Sequence, residues 1–272
     1  MLDIHPDALE IKNRGELMEV LGIDIGGSGI KAAIVDTTTG TLTSDRFRAD
    51  TPNPSDPDSV VRELEKIVTG FSWQGRPAGC TFPGVVKHGF ILTAANLDKK
   101  WVNLDAASLI AERTQTNVFM LNDADAAGIA EMELGAGRGE TGTVIMLTLG
   151  TGIGSSIFYQ GRLLPNAEFG HMEIRGKEAE QRASAKIRKE KKLSWDDWCS
   201  RLNEFLARMD LLFSPELFII GGGVIKRADS FLHLLKARAR IIPAHFQNQA
   251  GIIGAALAAE RKLSVQNEQG LS

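Results

Sequence analysis

The chain has 272 residues, 43% hydrophobic and 24% charged, with a formal net charge of −3. These proportions fit a globular protein and exclude a disordered or fibrous one, and so slight a charge sets up no global field for a polyanion, so no nucleic-acid partner is expected. Cys80 and Cys199 are far apart with no CxxC spacing, and no run approaches the roughly 20 apolar residues of a membrane span; no disulfide framework, thiolate metal site or membrane partner is expected, and the cytoplasm is the expected compartment.

Residues 1–19 carry acids throughout and lack the apolar core of a secretory signal, so they read as a short extension. Val20–Ile25 and Lys31–Asp36 are apolar runs joined by Gly26-Gly27-Ser28-Gly29, a pattern that predicts a β-hairpin, with Thr41–Arg48 as a third strand. Helical spacing follows over Asp58–Val68, then a buried strand over Ala78–Phe82 halted by Pro83-Gly84. A helix over Leu104–Thr114, a strand over Asn117–Leu121 and a helix over Ala124–Leu134 complete the first half.

The pattern then restarts, with a strand over Thr143–Leu149, a glycine turn at Gly150-Thr151-Gly152-Ile153-Gly154 and a returning strand over Ser155–Tyr159. Helices are expected within Glu178–Lys191 and Trp195–Phe213. Leu217–Ile220 is a short strand running into Gly221-Gly222-Gly223, Gly251–Lys262 is a closing helix, and 265–272 read as a frayed tail. Two glycine hairpins, starting at Ile23 and Thr148, thus recur about 125 residues apart. An α/β fold of two lobes facing a cleft is the expected result. The first lobe spans 20–123, with the closing helix 250–263 packing back onto it, and the second spans 124–249.

Consecutive backbone N–H groups at such turns form a concavity suited to phosphate. A tight turn alone would also explain either hairpin, but two matching hairpins with Asp24 and Thr151 beside them favour phosphate binding by Gly26, Gly27 and Gly29 opposite Gly150, Gly152 and Gly154. Lys31, at the foot of the first hairpin, is counted with them. Asp24 beside a phosphate loop suits a hydrated Mg²⁺. No GxxxxGK[ST] motif occurs, and Gly137, Gly139 and Gly142 match a dinucleotide fingerprint only in the wrong context, after a helix and before a strand.

Asn122-Asp123-Ala124-Asp125 falls at a strand-to-helix junction, a common place for a catalytic carboxylate in open α/β sheets. Asp123 could accept a proton from an alcohol during phosphoryl transfer, with Asp125 as the alternative, or it could simply N-cap the helix. Glu168, His171 and Glu180, with Asn122, offer donors and acceptors for sugar hydroxyls. His171 alone would equally suit a structural role or a metal, although no cysteines flank it as co-ligands.

Leu21–Lys31, Thr81–Gly84, Ala94–Leu97, Leu121–Gly128, Leu147–Gly154, Glu168–His171 and Ser214–Val224 together resemble the ROK family of sugar kinases and repressors. Ala95–Trp101 and Lys177–Ser184 are most similar to its polyphosphate-using glucokinases and glucomannokinases. The resemblance implies the actin-like ATPase fold and glucose or a related hexose as acceptor, with polyphosphate or ATP as donor. It implies Asp123 as base for the 6-hydroxyl, and Asn96, Asn122, Glu168, His171 and Glu180 as sugar ligands. Gly26, Gly27, Ser28, Gly150, Thr151 and Gly152 correspond to the phosphate loops, Asp24 lies near the metal, and Gly221, Gly222 and Gly223 correspond to the turn near the nucleotide base. A homodimer is implied as well. Many members carry zinc-binding cysteines after this histidine. Here Arg175–Ala179 occupies that stretch, so no structural zinc is expected and His171 is left to the sugar alone.

The family also includes DNA-binding regulators, but about 20 residues before Leu21 are too few for a winged helix. A silent sugar-binding protein would not need Asp123 with both glycine loops. An ATP-dependent kinase for mannose or an N-acyl hexosamine is the other enzymatic alternative. For a polyphosphate donor, Arg182, Lys186 and Lys189 would share one face of the expected helix, and Lys99-Lys100 follow Asn96, so these cations could form a track beside the cleft.

Overall fold

The computed structural model describes residues 19–268. The expected extension lies outside the described residues except for Glu19, which already belongs to the first strand.

In the first half, β1 (Glu19–Ile25) and β2 (Ile30–Asp36) form the expected hairpin. The expected third strand is two short pieces, β3 (Thr41–Leu42) and β4 (Phe47–Ala49), both paired with β2; the turn-forming Ser44-Asp45 interrupts them. Helix α1 (Pro57–Gly70) starts where the Asp56 carboxylate accepts from Ser59 N–H, with Pro57 in its first turn. Strand β5 (Pro77–Phe82), the small hairpin β6 (Val86–Lys87) and β7 (Phe90–Ile91), helix α2 (Ala106–Thr114), strand β8 (Asn117–Asn122) and helix α3 (Asp123–Leu134) follow.

The second half repeats the order: β9 (Thr143–Leu149), β10 (Ile153–Tyr159) and β11 (Arg162–Leu164), then a small hairpin, β12 (Glu173–Ile174) and β13 (Lys177–Glu178). Next come α4 (Ala179–Ala183), α5 (Ala185–Glu190), α6 (Trp195–Phe213), β14 (Leu217–Gly221), β15 (Arg240–Pro243) and α7 (Ala250–Glu268). The helix expected over Glu178–Lys191 is therefore two short helices. Ser184 takes an extended ψ of 157° between them and caps α5 by accepting from Ile187 N–H. After Gly221 the chain enters 3₁₀ turns over Gly223–Ser230. Of the expected frayed tail, 265–268 are helical and 269–272 lie outside the described residues.

The two sheets share one topology. The first runs β3-β2-β1-β5-β8 and the second β11-β10-β9-β14-β15, each an antiparallel hairpin extended by parallel strands. Alternation along the strands divides three buried layers. Leu21, Ile23 and Ile25 face α1 and α2, whereas Val144 and Met146 face the middle layer, and Ile145, Leu147 and Leu149 face α6. The middle layer is α3 and α7, sandwiched between the sheets. There Gly22 and Gly79 bring the first sheet against the α7 backbone at Ile252 and Ala255, and Gly254 brings α7 against Ala126 of α3; a Cβ at any of the three would collide with backbone. Among the described residues no helix is long and apolar enough to cross a membrane.

Candidate active site

The topology brings the β1–β2 turn, the β9–β10 turn, the β8–α3 junction and the loop before α4 to one cleft of about 720 Å³. Its lining includes Asp24, Gly26, Gly27, Ser28, Lys31, Asn96, Lys99, Asn122, Asp123, Gly150, Thr151, Gly152, Glu168, His171, Glu180, Gly222 and Gly223. Of the residues singled out from sequence, Gly29, Lys100, Asp125, Arg182, Lys186, Lys189 and Gly221 do not line it.

The loop glycines serve closeness rather than left-handed backbone. Among the described residues positive φ occurs at seven other glycines; only Gly222, at 83°, lines the cleft, packed against the Leu149 backbone. A Cβ on Gly27 would lie 2.9 Å from Asn96 Cβ, and one on Gly152 would strike the Glu180 carboxylate. The N–H groups of Gly26 and Gly150 bond to Gly29 and Gly152 carbonyls within their own turns. Those of Gly27, Ser28, Thr151 and Gly152 have no protein acceptor among the described residues and remain for an anion.

Asp24 is held from both sides: Lys31 Nζ donates to Oδ2 at 2.7 Å and Thr81 Oγ1 donates to Oδ1 at 3.0 Å. Gly251 in the first turn of α7 abuts the same carboxylate, where a Cβ would sit 3.0 Å from its carbon. The sequence assigns neither Thr81 nor Gly251 a role at the site, since one lies in a buried strand and the other inside an apolar helix.

Asn122, not Asp123, caps α3. Its Oδ1 accepts from Ala124 N–H at 2.8 Å and Asp125 N–H at 3.0 Å, while Nδ2 donates to Gly84 O at 3.1 Å and to Glu168 Oε1 at 3.4 Å. Its amide is thus committed to protein, and it fixes the positions of Asp123 and Glu168. Asp123 keeps an opening onto the cleft. Burial pushes its carboxyl up to about 7, aided by Asp24 and Glu168 and opposed by the Ala124 N–H. Burial also raises Glu168, with His171 opposing and Glu180 reinforcing. Asp125 is buried behind the site. Burial pushes it up to about 7 as well, with Asn166 N–H opposing through a 2.7 Å bond and Glu168 reinforcing. Asn166 in turn pairs with both N–H and C=O of Val86, and so ties the Glu168 loop to the β6–β7 hairpin across the cleft.

Glu180 Oε2 accepts from Ile153 N–H at 3.2 Å, next to the second glycine loop. The 3₁₀ turn Phe169–His171 presents His171, whose Nε2 lies 3.8 Å from Glu168 Oε2. One ligand atom each of His171, Glu178 and Glu180 lie within 4.8 Å of one another, a spacing a metal ion could bridge.

The cationic track is altered. Arg182 belongs to α4 and is bound to Glu204 at 2.6 Å, a structural ion pair, so it shares no face with Lys186 and Lys189. Those two lie on α5, which is anchored to the second glycine loop by Lys186 N–H donating to Gly150 O at 3.0 Å. Lys99 Nζ donates to Ala94 O.

Residues 20–186, well over half of the chain, match the model of the ROK family. The chain belongs to the ROK family. Within it the chain is 44% identical to a polyphosphate glucokinase of Mycobacterium tuberculosis, over 95% of this chain and 97% of that protein. A polyphosphate glucokinase of Mycobacterium leprae is 45% identical, over 87% of this chain and 73% of that protein. Among solved structures, the inorganic polyphosphate/ATP-glucomannokinase of Arthrobacter sp. strain KM superimposes with a TM-score of 0.87 at 48% identity, over 90% of this chain and 99% of that one. The ROK glucokinase of Streptomyces griseus, solved with glucose and AMPPNP, gives a TM-score of 0.77 at 25% identity, over 90% and 100%. The fold is thus that of the ROK kinases, the actin-like ATPase fold.

Proposed function

We propose that this ROK protein transfers a phosphoryl group from inorganic polyphosphate or ATP to the 6-hydroxyl of glucose. The observation that carries the reading is the placement of the Asp123 carboxyl, open to a cleft between two glycine loops, where burial raises it toward the range in which a general base works. The likeness to polyphosphate glucokinases over nearly the whole chain supports it.

In this reading Asn96, Glu168, His171 and Glu180 bind the sugar hydroxyls, and Asn122 holds Asp123 and Glu168 in place. The 6-oxygen attacks the terminal phosphorus and its proton passes to Asp123. The bond from that phosphorus to the bridging oxygen breaks, leaving ADP or a chain one phosphate shorter. The free N–H groups of Gly27, Ser28, Thr151 and Gly152 hold the donor phosphates, with the turn at Gly222 and Gly223 at the far end of the cleft.

Asp24, whose oxygens accept from Lys31 and Thr81, fits a hydrated Mg²⁺ held through water. Bound there, the ion would neutralise charge on the transferring phosphates. Lys186 and Lys189, on a helix tied to the second loop, would receive a long anionic donor. A homodimer belongs to the same proposal.

The deciding experiment is a matrix of initial rates on glucose, mannose and N-acetylmannosamine, each with ATP and with polyphosphate. The highest kcat/KM is expected on glucose, with both donors supporting turnover. The glucomannokinase likeness makes mannose the second acceptor to expect. No turnover of glucose with either donor would sink the proposal.

A further inference from the structure

Glu178 lies outside the residues assigned to sugar or phosphate, yet the fold goes to some length to place it. Arg175 and Gly176 both have positive φ, 53° and 74°, the signature of a two-residue type I′ turn that fixes the register of β12 against β13. The turn brings Glu178 back beside His171, seven residues earlier. Glu178 Oε2 accepts from Gln181 Nε2 at 2.9 Å, which leaves Oε1 3.2 Å from His171 Nδ1. The other ring nitrogen, Nε2, lies on the side of Glu168.

A neutral imidazole carries its proton on one nitrogen, and the acceptor next to that nitrogen decides which. A carboxylate facing Nδ1 favours the proton there and leaves the Nε2 lone pair toward the cleft. We propose that Glu178 is a positioning residue: it sets the tautomer and ring orientation of His171, so that Nε2 accepts a hydrogen bond from a sugar hydroxyl. The proposal rests on the reading of His171 as a sugar ligand. Glu178 also fits the chemistry better as an orienting group than as a ligand to the sugar, because one of its oxygens accepts from Gln181 and the other lies 3.2 Å from the ring.

The test is glucose kinetics with imidazole ¹⁵N NMR on Glu178→Ala, Glu178→Gln, Gln181→Ala and His171→Ala. Loss of one charge-assisted hydrogen bond should raise the glucose KM of Glu178→Ala about tenfold, with kcat held within about twofold. The His171 resonances should move from the Nδ1–H toward the Nε2–H pattern. Glu178→Gln keeps one acceptor without the charge and should fall between wild type and Glu178→Ala in both readouts. Gln181→Ala, a milder variant that keeps the carboxylate, should shift KM in the same direction by less, and serves if Glu178→Ala does not fold. An unchanged tautomer in Glu178→Ala overturns the proposal, and so does an unchanged glucose KM in Gln181→Ala where only that variant folds. Raised KM in His171→Ala with no effect of Glu178→Ala overturns it while sparing the sugar pocket. Unchanged KM in His171→Ala instead removes the sugar reading itself and the proposal with it. Stoichiometric metal in the purified protein, whose removal by chelator weakens glucose binding, would make Glu178 a metal ligand and overturn it too.

Discussion

Two aspartates two residues apart have similar acidities and different surroundings, so their asparagine variants should separate their roles. Asp123→Asn is expected to lower kcat by roughly 10²–10⁴-fold, the usual worth of a general base, with glucose Kd changed only slightly. Asp125→Asn can still accept from Asn166 N–H and should remain active. A dead Asp125→Asn beside an active Asp123→Asn would reverse the assignment. Both carboxyls sit near 7 in the fold, above the ordinary aspartate value of 3.8. The native state therefore holds these protons more tightly than the unfolded chain. The stability they contribute is fully present below pH 4 and is lost as pH rises through 7. Either asparagine variant should accordingly gain on the order of 1–3 kcal/mol over wild type at pH 8 and little at pH 4, since each pKa unit is worth about 1.4 kcal/mol. Denaturant titrations at the two pH values read this directly, and equal differences at both would contradict it.

At the scale of elements, the break at Ser184 decides which cations can meet a donor. Reversing Lys186 and Lys189 together to glutamate should raise the polyphosphate KM strongly, most at low salt, because exposed charges are screened within about 8 Å at 0.15 M. ATP-dependent activity should change far less. Arg182→Glu should instead lower thermal stability and harm both donors alike, since it destroys the pair with Glu204. No effect of the double reversal on polyphosphate would leave α5 as a solvated surface. The sequence already announced both glycine hairpins and the long helices, because each carries a strong local period and a clear stop. It did not disclose the α4–α5 break, where Ala183-Ser184-Ala185 is compatible with one helix and only the Ser184 cap separates two. Nor did it disclose the two-residue strands of the β6–β7 and β12–β13 hairpins, too short to show any alternation. The partners Thr81, Asn166, Glu178 and Gly251 escaped for a related reason: each acts through a contact between segments far apart in sequence or through a turn, and none has a residue type that marks it.

For the whole molecule, the donor loops sit on separate sheets and both must reach one phosphate chain, so glucose should draw the halves together and exclude water. Small-angle scattering should register a smaller radius of gyration at saturating glucose; an unchanged curve would argue for a cleft already closed. The position of α7 bears on something other than catalysis. Helix α7, far from β1 in sequence, is the one that covers the inner face of the first sheet and places Gly251 against Asp24. On the ribosome, the first half of the chain must therefore wait, with an apolar sheet face unclosed, until α7 has been translated. A chain stopped before Ala250 should emerge with its first sheet uncovered, bind an apolar dye strongly and aggregate, and residues 250–268 supplied separately should relieve both. Nascent chains of this protein are accordingly expected to depend on holding chaperones until α7 emerges, far past the point where their first sheet is complete.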